Sequence, residues 1–272
     1  MLLGAIIARL GYLAFYKNGG CFPLSKNRSL KLFLSMNNLN NKVAYITGGS
    51  KGIGYGIAKK LLHDGMRVAI TSRTLEAAQQ AAKSLTNDAS GVLALQSDVS
   101  SLASEVAAVK AATAHFVGLD VLVANAGVGH FASIETLTED AWKEMIDTNL
   151  TGVFNSVKAC LDALKQSKGY IITISSLAGA NFFATASGYN ASKFGLVGFS
   201  QAIMLDLRQY GIKVTTIMPG SVATNFDNHF PTEADAWKIQ PEDIGQMVSD
   251  LLHMNPRTLP SKIEVRPSMP GK

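Results

Sequence analysis

The sequence predicts an α/β fold, in which one doubly wound domain is built on a parallel sheet of about seven strands with helices on both faces. Two observations predict it. From Lys42 onward, short β-branched apolar segments alternate with longer helical segments at the spacing of strand–helix–strand units. In addition, no linker, repeat or low-complexity segment interrupts residues 42–272, so a single domain is expected there.

The predicted strands and helices alternate strictly along the chain, as crossover connections between parallel strands require. Strands are predicted at residues 43–47, 67–71, 92–96, 121–124, 170–175, 213–218 and 262–266. Helices are predicted at residues 53–64, 75–85, 101–116, 139–164, 189–210 and 241–253.

The basic charge of the chain lies at its N-terminus. The formal net charge is +5, yet residues 1–42 carry six Lys and Arg and no Asp or Glu, so the remaining residues sum to −1. A nucleic-acid partner would require a basic face on the folded domain. The nearly neutral domain therefore predicts no nucleic-acid binding.

The cysteine and histidine content excludes a disulfide framework and predicts no metal site. Cys21 and Cys160 are the only cysteines, and the five histidines form no HxxxH or HExxH pair. Cys160 lies in a helical apolar pattern, where a small buried side chain is expected. This usage is typical of a reducing compartment, and we expect a cytoplasmic location.

Residues 1–41 are predicted to be an N-terminal extension outside the fold. The apolar run of residues 1–16 is broken by Arg9 and is shorter than the roughly 20 residues of a membrane span. It lacks the basic start and the small-residue cleavage site of a signal peptide. We therefore expect no membrane contact. There are two alternatives. The segment is a weak membrane or partner anchor, or the start site is misassigned upstream of Met36.

A glycine-rich turn follows the first predicted strand and opens the first helix. It reads Thr-Gly-Gly-Ser-Lys-Gly-Ile-Gly over residues 47–54. Three of its glycines permit a tight turn and a close approach of the backbone to a pyrophosphate, which then meets the free N–H groups of the helix N-terminus. This position between strand and helix indicates a Rossmann-type nucleotide site. The residues predicted to bind the cofactor there are Gly48, Ser50, Lys51, Gly52, Ile53 and Gly54.

The end of the second predicted strand indicates the preferred cofactor. Sites for NAD usually place Asp or Glu there, to accept a hydrogen bond from the ribose 2′-hydroxyl. This chain has Arg73 instead, with Lys51 in the glycine-rich turn. Because two cations suit a 2′-phosphate, we predict that NADPH or NADP⁺ is preferred over NADH.

Other strand ends supply further predicted cofactor contacts. Asp98 and Val99 follow the third strand, where they would flank the adenine. Asn125, Ala126 and Gly127 follow the fourth strand, at the carboxyl edge where open α/β sheets bind ligands.

A serine, a tyrosine and a lysine form the candidate catalytic set. Ser176 ends the fifth strand segment, Tyr189 lies 13 residues beyond it, and Lys193 follows one helical turn later. Tyr189 and Lys193 therefore share a helix face. Because an ammonium group favours the phenolate, we expect it to lower the pKa of Tyr189 from about 10 toward a useful range.

These motifs resemble the short-chain dehydrogenase/reductase family, in its 3-oxoacyl-[acyl-carrier-protein] reductase-like branch. The likeness covers about residues 42–266 and rests on TGGSKGIG, DV, NAG, NLTG, the Ser–Tyr–Lys set and a Pro-Gly pair. It implies that Tyr189 is the general acid or base and that Ser176 holds the substrate oxygen. It also implies that Lys193 tunes Tyr189 and bonds the cofactor ribose, and that Asn149 kinks its helix and holds a relay water. Further implied cofactor contacts are Tyr189, Lys193, Pro219, Gly220, Val222 and Thr224.

Three features depart from the reductases that act on acyl carrier protein. Ser167 and Leu205 stand where those enzymes usually carry arginines near the mouth of the site. Residues 263–267 lack their glycine-rich ending, and the substrate loop at about residues 225–239 is short. These departures put carrier docking in doubt.

The sequence thus predicts an NADPH-dependent oxidoreductase that interconverts a carbonyl and an alcohol on a small molecule by hydride transfer. A 3-oxoacyl-[acyl-carrier-protein] reductase is the alternative enzyme, and a non-catalytic NADPH-sensing protein is the alternative of another class. The resemblance also implies a homodimer or homotetramer through the helices at 139–164 and 189–210. The residues expected in that interface are Phe154, Val157, Leu196 and Phe199.

Overall fold

The computed structural model describes residues 38–86, 88, 90–226 and 229–269, and the backbone of residues 14–17 and 20–23. Its centre is a sheet of seven strands. They are β1 Val43–Ile46, β2 Arg67–Ser72, β3 Val92–Gln96, β4 Val121–Ala124, β5 Tyr170–Ile174, β6 Lys213–Pro219 and β7 Lys262–Val265. The spatial order is β3-β2-β1-β4-β5-β6-β7, with every neighbouring pair parallel. The predicted doubly wound fold is confirmed, and the strand order reverses between β1 and β4, where such sheets bind ligands.

Helices connect the strands and cover both faces of the sheet. They are α1 Gly52–His63, α2 Leu75–Leu85, α3 Leu102–Phe116, α4 Glu139–Ile146, α5 Gly152–Ser167, α6 Ser187–Leu207 and α7 Pro241–His253. Local chemistry sets several of their starts. Thr74, Ser101 and Thr138 each accept a hydrogen bond from a backbone N–H three residues on, and Pro241 opens α7.

The sheet buries alternate strand residues on opposite faces, as the two-residue period of a strand requires. In β1, Ala44 and Ile46 belong to the core shared with α1, α2 and α7. The intervening Val43 and Tyr45 belong to the core shared with α3, α5 and α6. Because both faces are covered, the central strands are apolar throughout, which is why the sequence shows continuous rather than alternating runs there.

The prediction of one uninterrupted helix over residues 139–164 is wrong. The structure ends α4 at Ile146, places a π-helical turn at Asp147–Thr151 and then begins α5. The wider turn brings Asn149 into the interior, where its side chain bonds the backbone of Val128. This tertiary contact, which no local pattern reports, interrupts the regular helix. The other predicted bounds lie within three residues of the observed ones.

The ordered domain begins before the predicted boundary at residue 42. Leu39 is buried in the core, and the carbonyl oxygen of Asn41 accepts a hydrogen bond from the Arg67 guanidinium at 2.9 Å. Ala14–Lys17 and Gly20–Pro23 pair with each other as antiparallel strands and form a sheet of their own. Residues 1–13, 18–19 and 24–37 of the predicted extension lie outside the described residues. None of the helices in the described part of the chain combines the length and apolar character of a membrane span.

Helices α1 and α7 cross at two glycines. A Cβ on Gly56 would lie 2.5 Å from the carbonyl group of Pro241, and one on Gly245 would lie 2.6 Å from the carbonyl oxygen of Gly56. The two backbones are therefore in contact, with no room for a methyl group. Because the helices cross so closely, Ile57 and Ile244 belong to the same core as the buried residues of β1 and β2.

We expect Gly56→Ala to lower the free energy of unfolding by about 1–3 kcal/mol, because the added methyl group must push two backbones apart. Urea unfolding followed by circular dichroism measures it. Gly91→Ala is the matched control, since a Cβ there has the Leu62 side chain as its nearest neighbour, at 3.3 Å. Parent-like stability of Gly56→Ala would contradict the crossing geometry.

Candidate active site

The glycine-rich turn is folded tightly against the loop that follows β4. Gly48 and Gly52 adopt left-handed backbone conformations, with φ of +63° and +57°. A Cβ on Gly54 would lie 2.5 Å from both the Gly48 carbonyl oxygen and the Asn125 amide nitrogen. The turn thus needs glycine for conformation at two positions and for space at a third.

Thr47 and Asn125 fasten this turn to the β4 loop. The Thr47 hydroxyl accepts hydrogen bonds from the backbone N–H groups of Asn125 at 3.0 Å and Ala126 at 3.1 Å. The Asn125 side chain donates to the carbonyl oxygens of Thr47 at 2.9 Å and Gly48 at 3.1 Å. Asn125 therefore positions the turn. Sequence reasoning did not identify Thr47, although a hydroxyl residue at the end of the first strand is a signal that could have found it.

The N-terminus of α1 presents backbone donors beside the turn. Its N-cap, Lys51, is exposed and makes no side-chain cap hydrogen bond, which leaves the first N–H groups of the helix to other acceptors. Ser50 and Ile53 are half-buried on either side. Together with the space kept by the glycines, these donors fit the pyrophosphate of a dinucleotide.

The segment after β6 returns along the same edge of the sheet. The Gly220 N–H donates to the Val265 carbonyl oxygen at 2.7 Å, and Val222 forms a parallel bridge with Ile239. A Cβ on Gly52 would lie 3.4 Å from the Thr224 side chain. The structure thus brings Thr224 to the glycine-rich turn, while Gly220 and Val222 contact β7 and Ile239.

Arg73 follows β2 and already has an acidic partner. Its guanidinium lies 3.6 Å from a carboxylate oxygen of Glu144, and the other oxygen of that carboxylate lies 2.7 Å from the His130 imidazole. The Arg73 side chain is 75% exposed. No sequence pattern indicates Glu144 as the partner, because α4 and the end of β2 are far apart in the chain and meet only in the folded protein.

The residues after β3 are fixed at the rim of the site. The Asp98 carboxylate accepts hydrogen bonds from the Ser100 backbone at 3.0 Å and hydroxyl at 2.7 Å. Val99 is buried, and its carbonyl oxygen accepts a hydrogen bond from the Asn155 side chain at 2.8 Å. Both residues predicted to flank the adenine are therefore held by contacts within the protein.

Two adjacent serines after β5 make different contacts. Ser175 donates to the Lys193 carbonyl oxygen at 3.3 Å. Ser176 accepts the N–H of Ala178 at 3.1 Å, and its side chain lies close enough to the Tyr189 phenol to lower the pKa of that phenol. The structure therefore joins Tyr189 to the predicted serine, Ser176, while its neighbour supports the backbone of α6.

Lys193 lies one turn beyond Tyr189 on α6, and both side chains are buried. The Lys193 ammonium group lies 5.6 Å from the centroid of the Tyr189 ring and donates to the Ile174 carbonyl oxygen at 3.2 Å. A Cβ on Gly127 would lie 3.6 Å from the Lys193 nitrogen, so this glycine keeps the space above the ammonium group open.

The pKa of Tyr189 is shifted in the direction opposite to the one expected from the sequence. Burial of the phenol raises its pKa to about 12, and the hydrogen bond from Ser176 offsets only part of this increase. Burial also lowers the pKa of Lys193 to about 8. The expected net lowering of the Tyr189 pKa is wrong for this structure, because burial of the phenol is the largest cause of its shift.

Asn149 ties three parts of the site together. From the π-helical turn, its side chain accepts the Val128 N–H at 2.8 Å and donates to the Val128 carbonyl oxygen at 2.8 Å and the Ser192 hydroxyl at 3.0 Å. The expected kink is present, and these contacts position the β4 loop against α6. The relay water stays a prediction. Ser192, adjacent to Lys193, is a further positioning residue that sequence reasoning did not identify.

A comparison with protein families decides the relationship of this chain. The sequence model of the short chain dehydrogenase family matches residues 42–235. The chain belongs to the short-chain dehydrogenase family. The resemblance inferred from the motifs is thereby confirmed, and the protein is an oxidoreductase of this family.

Individual relatives differ in name and in the cofactor that they carry. Glycine betaine reductase of Emericella nidulans is 34% identical over 213 residues, which make up 78% of this chain and 17% of that much longer protein. An alcohol dehydrogenase from Thermococcus sibiricus, complexed with 5-hydroxy-NADP, is 30% identical with a TM-score of 0.79, over 84% of this chain and 97% of that one. The 3-ketoacyl-(acyl-carrier-protein) reductase from Brucella melitensis, complexed with NADH, is 25% identical with a TM-score of 0.77. The match covers 85% of this chain and 98% of that one. Substrate and cofactor preference must therefore be inferred from the residues of this chain.

Proposed function

We propose that the protein is an NADPH-dependent oxidoreductase that interconverts a carbonyl and an alcohol by hydride transfer, with Tyr189 as general acid or base. The observation that carries this proposal is the buried Tyr189, whose phenol Ser176 influences and which is followed one turn later by the buried Lys193. A nicotinamide cofactor would be held by residues 47–54 and 219–224, and it supplies or accepts the hydride when bound.

In the reductive direction, Tyr189 donates its phenolic proton to the substrate oxygen while the carbonyl carbon accepts the hydride. A pKa raised to about 12 keeps this phenol protonated at neutral pH, so the proton is present for transfer. The Ser176 hydroxyl holds the substrate oxygen within reach of that proton. In the oxidative direction Tyr189 must accept the proton, and the Lys193 ammonium group stabilises the phenolate that does so.

The Tyr189→Phe variant tests the acid–base role. Because it removes the transferable proton and keeps the ring, we expect kcat to fall at least about 100-fold with little change in NADPH affinity. Steady-state NADPH oxidation and a direct binding titration measure the two quantities. Tyr210→Phe is the control, since that ring is 43% exposed and contacts Lys165 instead of the site. Near-parent turnover in Tyr189→Phe would refute the assignment.

We propose that the cofactor is NADPH because Arg73 stands where an acidic residue would select NADH. The adjoining Ser72 and Thr74 add hydroxyl groups and no negative charge. Glu144 competes for Arg73, but an exposed ion pair contributes only about 0–1 kcal/mol. A charge-assisted bond to the 2′-phosphate contributes about 1.5–3 kcal/mol, so the phosphate displaces this carboxylate.

We expect a preference for NADPH over NADH of about 100-fold in kcat/KM, which should shrink sharply or invert in Arg73→Asp. Glu144→Gln removes the competing carboxylate, so NADPH efficiency should rise by less than about 5-fold while NADH efficiency stays constant. Steady-state kinetics with both cofactors measure these changes. Equal efficiency of the two cofactors with the parent enzyme would overturn the cofactor assignment and leave the catalytic one intact.

The 3-oxoacyl-[acyl-carrier-protein] reductase remains the alternative enzyme, favoured by the likeness to the Brucella melitensis structure. The two positions compared with the arginines of those reductases argue against it, since they carry the uncharged Ser167 and Leu205. In this chain both lie at the C-terminal ends of α5 and α6, away from Tyr189, and Leu205 is 57% exposed. An acidic carrier protein would find no positive charge at these two positions. A non-catalytic NADPH sensor is disfavoured because Ser176, Tyr189 and Lys193 are all in place.

We propose that two chains associate through α5 and α6, as a homodimer or as part of a homotetramer. Two of the expected interface residues need correction, because Val157 and Leu196 are buried within the single chain. Phe154 and Phe199 instead line a surface groove, with ring centroids 6.3 Å apart, and Phe154 is 44% exposed. These two rings supply the apolar surface that association would cover.

Light scattering at micromolar concentration should therefore give at least the mass of a dimer. Phe154→Asp should release monomers, because it would bury a charge against the partner. Leu102→Asp is the control on another exposed apolar position, at 42% exposure on α3. A monomeric parent protein would contradict the proposal.

We propose a cytoplasmic location, with residues 1–38 outside the catalytic domain. The strands Ala14–Lys17 and Gly20–Pro23 form a sheet of their own, separate from the seven-stranded one. The buried Leu39 and the bond between Asn41 and Arg67 support a domain that starts near these residues.

A further inference from the structure

Three phenylalanine rings gather beside the reactive phenol. Phe131 lies 5.4 Å from Tyr189 between ring centroids, Phe226 lies 5.8 Å from it, and Phe183 lies 6.1 Å from Phe131. We call Phe131, Phe183 and Phe226 the aromatic cage. Two of its rings keep open surface, with Phe131 40% and Phe183 53% exposed. Aromatic faces left open beside a buried acid are the surface that a bound molecule would cover.

The protein backbone holds the cage in place. A parallel bridge between Ala132 and Ala186 joins the segments that carry Phe131 and Phe183. The buried Asn190 side chain donates to the carbonyl oxygens of Ala178 at 2.6 Å and Asn181 at 2.8 Å, which fixes the loop just before Phe183. The rings are therefore presented by anchored segments, at a fixed distance from Tyr189.

Phe226 closes the third side of the cage against a glycine. A Cβ on Gly129 would lie 2.5 Å from the tip of the Phe226 ring, so the ring rests directly on the backbone of the β4 loop. The Phe226 N–H also bonds the Thr224 hydroxyl at 3.4 Å. The wall of the cage is thus continuous with the segment proposed to hold the cofactor.

The basic side chains on the described parts of the surrounding loops each lie beside a carboxylate. Among the described residues of 128–138, 177–186 and 220–240, the cationic side chains are His130, His229 and Lys238. His130 pairs with Glu144, while His229 and Lys238 both pair with Asp235. A carboxylate or phosphate on the substrate would find no free cation on these loops.

We propose that the substrate is a neutral carbonyl compound with an aromatic group next to the carbonyl, and that the aromatic cage binds this group. This inference rests on the proposed function. The carbonyl carbon gains a hydride from NADPH, its oxygen gains the proton of Tyr189, and the products are the benzylic-type alcohol and NADP⁺. Phe131 and Phe183 are the residues that set the preference, because their open faces contact the substrate ring.

A matched set of ketones tests the substrate class. Acetophenone carries a phenyl ring, cyclohexyl methyl ketone carries its saturated counterpart, and benzoylformate adds a carboxylate. We expect kcat/KM for acetophenone to exceed that for each of the other two by about 10-fold, since ring–ring contacts favour the aromatic compound and the described loops around the cage offer the carboxylate no unpaired cation. Equal efficiencies for acetophenone and the saturated ketone would overturn the proposal.

Single substitutions locate the effect. Phe131→Leu and Phe183→Leu should each reduce the ratio of kcat/KM for acetophenone to kcat/KM for the saturated ketone by about 3-fold or more. Phe182→Leu is the matched control, because the adjacent ring is 85% exposed and lies outside the cage. An equal loss of preference in Phe182→Leu would show that the cage does not set it.

Ligand binding separates this inference from the proposed reaction. Saturation-transfer NMR on the full chain with NADP⁺ should detect acetophenone more strongly than cyclohexyl methyl ketone, and Phe183→Leu should weaken that signal. Such binding without turnover of any ketone would refute the proposed function and support the cage. Turnover of both ketones without selective binding of acetophenone would refute the cage and leave the function standing.

Discussion

The ammonium group of Lys193 is buried where β5 ends and α6 begins, and the described residues place no carboxylate in an ion pair with it. Removing a charge from water is costly, and the hydrogen bond to the Ile174 carbonyl oxygen offsets only part of that cost. Because burial disfavours the charged form, the pKa of Lys193 is lowered to about 8. The surrounding polar contacts are consistent with the need to hold the ammonium group in place: Ser175 bonds the Lys193 carbonyl, and Ser192 anchors Asn149 beside it.

The same loss of water explains the other properties of the site. Burial keeps the Tyr189 phenol protonated, and it makes each hydrogen bond to that phenol stronger than it would be in water. Apolar rings on one side of Tyr189 and a buried cation one turn away produce a site that can deliver a proton to a neutral substrate. The glycine-rich turn follows β1 at the same edge of the sheet, so under the proposed function the proton and the hydride would reach the same carbonyl group.

Sequence reasoning recovered what local patterns encode. Strand and helix periodicity predicted the seven-stranded sheet, and the spacing of Ser176, Tyr189 and Lys193 predicted a set that the fold brings together. It failed where contacts are made only in three dimensions. The π-helical turn depends on the bond between Asn149 and Val128, the partner of Arg73 comes from a distant helix, and desolvation reverses the expected shift of the Tyr189 pKa. The aromatic cage combines three loops, so no single stretch of sequence reveals it.

The titration of Lys193 in the unliganded protein tests the central claim most directly, because the claim is that a buried ammonium group governs the site. Proteins labelled with ¹³C at the lysine ε carbon give one NMR resonance for each lysine, and the Lys193→Arg variant identifies the one that belongs to this residue. We predict a midpoint near the pKa of about 8 that burial produces, well below the ordinary value of about 10.4. A midpoint at or above the ordinary lysine value would contradict the account, since it would show an ammonium group that water or a counter-charge stabilises.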